Sequence, residues 1–65
     1  MIISLIPVEV KDNKVRSIVV ADSKSDIVPD IHYNTGKVVA AGSLAVTTAF
    51  EMAMLGSDGS WHWKE

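Results

Sequence analysis

The sequence predicts a small, mostly β domain of about five short antiparallel strands, with one helical turn near residues 23–28. Two runs rich in Ile and Val, residues 2–10 and 15–21, have the composition of strands. Clusters of Asp, Asn, Ser and Gly separate the apolar runs along the rest of the chain, and such clusters mark turns. With 65 residues there is room for a single domain, residues 1–65.

The two Ile/Val runs are predicted to form a hairpin around Asp12-Asn13, because both residues tolerate the left-handed conformation of a two-residue turn. The pairs that this register predicts are Val10–Val15, Glu9–Arg16, Ile6–Val19 and Leu5–Val20. Away from the turn both faces of the hairpin are apolar. The sequence therefore predicts that the rest of the fold, or another subunit, covers each face.

One helical turn is predicted within residues 22–29, where Asp22 or Ser23 can accept backbone N–H bonds as a cap. Pro29 ends this turn, because a proline disfavours the helical region for the residue before it. A second turn at residues 34–36 leads to a short apolar run.

Residues 43–55 fit two interpretations. As a helix they begin at Ser43, end before Gly56 and have one apolar face, which gives an α+β alternative with this helix packed on the sheet. As two strands their side chains alternate, and residues 56–59 form a hairpin connection. The second register predicts the pairs Met54–Trp61, Met52–Trp63 and Glu51–Lys64.

A resemblance favours the strands. Residues 15–27, Val-Arg-Ser-Ile-Val-Val-Ala-Asp-Ser-Lys-Ser-Asp-Ile, resemble small bacteriophage and prophage structural proteins, in which an Ile/Val strand runs into an Asp-Ser/Thr-x-x-Asp turn. Residues 41–48, 50–55 and 56–61 are similar to the second half of that pattern, which is two strands, a Gly-containing turn and a last strand opened by Trp. The resemblance implies a module of a phage head fibre, capsid or tail, and it brings no catalytic or ligand residues with it.

Composition and motifs exclude several function classes. A net charge of −2 disfavours nucleic acid and anionic membranes as partners. The chain has no cysteine and two histidines, so no metal or cofactor is expected. No nucleophile–base motif is present, which predicts that the protein is not an enzyme and identifies no small-molecule substrate. Asp22, Asp26 and Asp30 are expected to be caps and solvated loop charges.

The functional hypothesis is a non-enzymatic virion structural or assembly protein that uses a sheet face or an edge strand for contacts. A homo-oligomer, another virion protein, or both are the expected partners. The side chains predicted to make these contacts are Leu5, Val20, Met52, Met54, Trp61 and Trp63.

Two alternatives belong to other classes. One is a small carbohydrate-binding module that uses Trp61 and Trp63, and the other is a host-directed phage regulatory protein that acts through the acidic loop 22–30. The expected location is the bacterial cytoplasm during expression, with virion association after that. The first residues lack the basic region of a signal peptide, so secretion by that route is not expected.

Overall fold

The computed structural model describes residues 1–65 and confirms a mostly β fold, with one 3-10 turn as its helical content. Six strands form one open sheet. In chain order they are β1 (Ile2–Lys11), β2 (Lys14–Ala21), β3 (Val38–Val39), β4 (Leu44–Thr47), β5 (Met52–Leu55) and β6 (Trp61–Trp63), and the 3-10 turn spans Lys24–Asp26. Their spatial order is β1-β2-β4-β5-β6, with β3 paired to the first residues of β2.

The β1–β2 hairpin has the predicted turn. Asp12 adopts a left-handed φ of 56°, as a two-residue hairpin turn requires. The pairs Val10–Val15 and Glu9–Arg16 are those predicted, and the second is an ion pair with 3.3 Å between Arg16 Nη2 and Glu9 Oε1.

Further from the turn the predicted hairpin register is wrong by one residue. An irregularity in the ladder follows Pro7, so Val19 lies opposite Leu5 and Val20 lies opposite Ser4. Pro7 has no N–H to donate to the ladder, and a bulge beside it accommodates that missing bond. Leu5 and Val20, which were predicted to face each other, therefore lie on opposite faces of the sheet.

The predicted helical turn is present and is capped by Ser23. The Ser23 N–H donates to the Asp26 carboxylate over 3.3 Å, which closes the turn locally.

Residues 43–55 form the two strands β4 and β5, so the alternative with a helix is wrong. The backbone of β4 pairs with β2 on one side and with β5 on the other, which a helix could not do. The expectation that all strands are antiparallel is also wrong, because β2 pairs in parallel with both β3 and β4. A parallel pair needs a crossover connection, and residues 22–43 supply it.

The β5–β6 register differs from the prediction by one residue. The observed pairs are Leu55–Trp61, Met54–His62 and Ala53–Trp63. The reason is the loop length: Gly56 and Ser60 are hydrogen-bonded, which leaves a three-residue loop that ends at Gly59 with a φ of 84°. The predicted pairs Met54–Trp61 and Met52–Trp63 are therefore not formed, since a one-residue shift moves a side chain to the other face.

The hydrophobic core lies between one face of the sheet and the crossover segment 22–43. The crossover contributes Ile27, Ile31 and Val39, and the sheet contributes Val19, Ala21, Ala45, Ala53 and Leu55. The three alanines let the crossover approach the sheet closely. This face of the sheet is called the covered face below.

A polar link inside the core joins β2 to the end of the crossover. The buried Ser43 hydroxyl accepts the Ser17 N–H over 2.9 Å and donates to the Ala40 carbonyl over 2.6 Å. The Tyr33 hydroxyl lies 2.5 Å from the Ser17 hydroxyl. The Ser43 hydroxyl oxygen thus takes the place of a backbone carbonyl as the acceptor for the Ser17 N–H, at the point on β2 between its pairing with β3 and its pairing with β4.

Candidate functional site

The face of the sheet opposite the crossover is not covered by any part of the chain, and it is called the open face below. Its side chains form two rows that cross the strands. One row is Ile6, Ile18, Leu44, Met54 and His62, and the other is Ser4, Val20, Val46 and Met52.

The open face is apolar although it lies in solvent. Ile6, Ile18, Met52 and Met54 are between 37% and 52% exposed, and the remaining aliphatic residues of the two rows are half-buried by their neighbours. The rows contain no Asp, Glu, Lys or Arg, and the nearest charge at the β6 border is Lys64, whose backbone N–H donates to the Met52 carbonyl over 2.8 Å. A shallow depression with a mostly hydrophobic lining crosses β4, β5 and β6 beside Leu44 and Met54. An exposed apolar surface that extends over several strands is typical of a binding surface.

The six predicted contact residues divide between the two faces. Val20, Met52 and Met54 lie in the open-face rows. Leu5, Trp61 and Trp63 pack against the core cluster on the covered face. The one-residue register shifts in both hairpins cause this division. The larger part of the open face comes from residues that sequence reasoning did not select: Ile6, Ile18, Leu44 and Val46.

The two indoles are half-buried and engaged by the chain itself. The Trp61 Nε1–H donates to the Val28 carbonyl over 2.8 Å. The Lys24 ammonium lies 5.1 Å from the centroid of the Trp63 ring, within the range of a cation–π interaction. Both side chains therefore fasten the crossover segment to the edge of the sheet.

Neither edge of the sheet presents a long regular strand. β1 has two irregularities in its ladder and contains Pro7, and β6 has three residues followed by Lys64. Bulges, prolines, lysines and short length are features that protect an edge from pairing with another chain.

Phe50 is an exposed aromatic residue that sequence reasoning did not select. It ends the three-residue loop between β4 and β5, has a left-handed φ of 63° and is 98% exposed. The β5–β6 loop has the same hydrogen bonds and places Gly59 at the equivalent position. The last residue of such a three-residue loop is usually Gly, because it must adopt a left-handed conformation. A phenylalanine at this position is therefore unusual.

A second polar cluster that sequence reasoning missed lies at the β5–β6 loop. His62 Nε2 is 3.2 Å from both carboxylate oxygens of Asp58 and 3.3 Å from the Ser60 hydroxyl. The Ser60 N–H bond is the main reason that the pKa of Asp58 falls from 3.8 to about 2, and the His62 contact adds to it. In a Ser-His-Asp triad the serine and the carboxylate use different ring nitrogens. Here both meet the same nitrogen, so the geometry is that of a stabilised turn.

The acidic loop is partly neutralised by the chain. The amino group of Met1 pairs with the Asp26 carboxylate and lies 3.7 Å from Asp22 Oδ2. This contact raises the pKa of the amino group and lowers the pKa of Asp26. No group of three or more His, Asp or Glu side chains is arranged to hold a metal ion.

Comparisons with known proteins found no matching family model, curated protein or solved structure. The resemblance to phage structural modules accordingly stays a prediction. The structure contains no helix with the length and hydrophobicity needed to cross a membrane.

Proposed function

We propose that the protein is a non-enzymatic structural or assembly protein that works by burying its open face against another protein. The observation that carries the proposal is the continuous apolar surface of the two rows, from Ile6 on β1 to Met54 on β5. Transfer of such a surface out of water is favourable in proportion to its area. The sheet geometry presents these side chains side by side, so a single flat partner surface can cover them.

The same observations favour the face over the edges as the docking surface. Pairing of an edge strand needs a run of free backbone groups in regular register. The bulged β1 and the three-residue β6 offer little of this, whereas the open face offers apolar side chains from the four strands β1, β2, β4 and β5.

The resemblance to phage and prophage modules suggests the setting of this function. In that setting the chain is a virion component or an assembly accessory, and its partner is a protein of the particle. Detection of the chain in purified particles, or only in the cytosol of producing cells, would separate these settings.

The proposal is tested by gel filtration of a native lysate of cells that produce the chain. We expect the wild-type chain to elute in an assembly larger than the free chain. Met54→Glu places a charge in the open face and should return the chain to the free fraction, because an unpaired buried charge is costly.

Val28→Glu is the matched control, since Val28 has a similar exposed fraction, 44% against 52% for Met54, and lies on the crossover segment. This variant should remain in the assembly. Elution of the wild-type chain in the free fraction alone would contradict the proposed function.

A further inference from the structure

We infer that the occupant of the open face is the same face of a second copy of this chain, which gives a twofold dimer of two packed sheets. This inference rests on the proposed function and names its partner. Each subunit would then have its crossover segment on the outside, and the two sheets would share a second core between them.

The size of the face fits a stable dimer. The whole Cα trace measures 32 by 23 Å along its two longest axes, so one side of the molecule, including the hairpin tip and the loops beside the two rows, projects to about 740 Å². A standard protein interface takes roughly 800 Å² from each partner. A pair of sheets packed face to face therefore approaches this size when nearly this whole side is covered, with the two apolar rows at its centre and the Glu9–Arg16 ion pair within its border.

The absence of charged side chains from the two rows is compatible with packing of the open face against the same face of a second copy. A twofold interface brings each residue patch against the identical patch of the other subunit, so any charge in its centre would meet a like charge. The two rows contain no formally charged side chain from β1 to β5. The nearest charges on β1 and β2, Glu9 and Arg16, already neutralise each other within the subunit.

The hydrophobic core of the single chain is small, so burial of further apolar surface in a dimer would add stability. Nine hydrophobic residues are buried, and six of them are valine or alanine. Chains of this length often need a disulfide, a metal or a partner for stability. This chain has no cysteine, and several of its larger apolar side chains, among them Ile6, Ile18 and Met54, lie on the open face.

The strand order identifies the centre of the interface. β4 is the middle strand of the five, so a centred twofold arrangement places β4 over β4 of the second copy. Val46 lies on this strand and belongs to the open face. Packed sheets are about 10 Å apart, which exceeds the Cα separation of roughly 7 Å that a disulfide allows. Two cysteines placed at position 46 of the two copies would therefore be joined by a short bismaleimide cross-linker and not by a direct disulfide.

The first experiment is sedimentation velocity on the purified chain over roughly a hundredfold concentration range, with a melting curve at each concentration. We expect a monomer–dimer equilibrium and a Tm that rises with concentration. Met54→Glu should weaken the dimer by roughly a hundredfold or more, because each interface would bury two added carboxylates. Val28→Glu should leave the dimer unchanged.

The second experiment is bismaleimide cross-linking of single-cysteine variants, which needs no destabilising change. Val46→Cys should give a covalent dimer, and Thr35→Cys, in the exposed turn of the crossover, should not.

Three results would overturn the inference: a wild-type monomer at every concentration, a dimer that Met54→Glu does not weaken, or equal cross-linking of the two cysteine variants. A purified monomer that still joins an assembly in the lysate would refute the second copy alone, and the proposed function would stand with a different protein as partner. A chain that is monomeric in sedimentation and also elutes in the free fraction of the lysate would refute both the dimer and the proposed function.

Discussion

At the scale of single residues, Phe50 and Gly59 occupy the same position in two loops of the same design. Both end a three-residue loop, and both have a left-handed φ, 63° and 84°. Glycine adopts this conformation without strain, whereas a residue with a side chain loses about 1–2 kcal/mol there. Phe50 is therefore strained, and its exposed ring gains nothing from packing within the chain.

We expect Phe50→Gly to stabilise the chain by about 0.5–1 kcal/mol, since relief of the backbone strain exceeds the added entropy of the unfolded state. A gain of 1 kcal/mol raises the Tm of a domain of this size by about 4–8 °C. Thermal unfolding followed by circular dichroism measures the change.

Ala49→Gly is the control for Phe50→Gly, because Ala49 is in the same loop without a positive φ. It should lower the stability by about 0.5–1 kcal/mol. If both variants lowered the Tm equally, strain at Phe50 would be excluded.

Ser43 is the residue whose loss should damage the buried hydrogen bonding of the core. Its hydroxyl is the acceptor for the buried Ser17 N–H. Ser43→Ala leaves that donor without a partner, and we expect a loss of about 1–3 kcal/mol in the free energy of unfolding by urea. Ser57→Ala, in the exposed β5–β6 loop, should change it by no more than about 0.5 kcal/mol. Equal effects of the two substitutions would contradict this role of Ser43.

At the scale of elements, the existence of most strands was predictable, and their registers were predictable only near the turns. The Asp12-Asn13 turn determines the pairs next to it, Val10–Val15 and Glu9–Arg16. The bulge beside Pro7 then shifts every later pair, and nothing in the alternation of Ile and Val marks its position. In the β5–β6 hairpin, a loop of three residues instead of four moved both Trp side chains to the covered face.

The β5–β6 loop should carry a measurable pH signature. The pKa of Asp58 lies below its ordinary value of 3.8, at about 2. A carboxyl group whose pKa is lowered on folding stabilises the fold above its unfolded pKa, and this contribution is lost as the pH falls through the folded pKa. We therefore expect the Tm of the wild type to fall between about pH 4 and pH 2, and the decrease to be smaller in Asp58→Asn.

The cause of the Asp58 shift can be tested separately by NMR titration of its carboxyl carbon. The Ser60 N–H is the largest cause, so His62→Ala should leave the pKa of Asp58 well below 3.8. A return to the ordinary value in His62→Ala would assign the shift to the histidine instead.

At the scale of the whole molecule, the sequence predicted a single mostly β domain but neither the parallel pairs nor the asymmetry of the two faces. Local patterns predict hairpins, whereas the pairing of β2 with β4 joins residues 26 positions apart, such as Ser17 and Ser43. Both faces of β2 contain Ile or Val near its end. Only the position of the crossover decides that Val19 is buried and that Ile18 is 37% exposed.

The arrangement of the sheet predicts a gradient of local stability. β2 has paired strands on both sides and alternate residues in the core, whereas β6 is a short edge strand. In native-state hydrogen exchange we expect the slowest amides in β2 and the fastest strand amides in β6. Equal protection in both strands would indicate that the sheet opens as a single unit.

The parallel β2–β4 contact also has a consequence for how the chain folds. It divides the sheet into two pieces that are each continuous in sequence, a hairpin before the crossover and a three-stranded meander after it. Each piece can form through short-range contacts, while their junction must first close the loop made by the whole crossover. The slow step of folding is then the docking of two partly formed halves. Kinetic analysis of variants should give a higher φ-value for Val10→Ala, which pairs only within the hairpin, than for Val15→Ala, which also pairs with Val39 of the crossover.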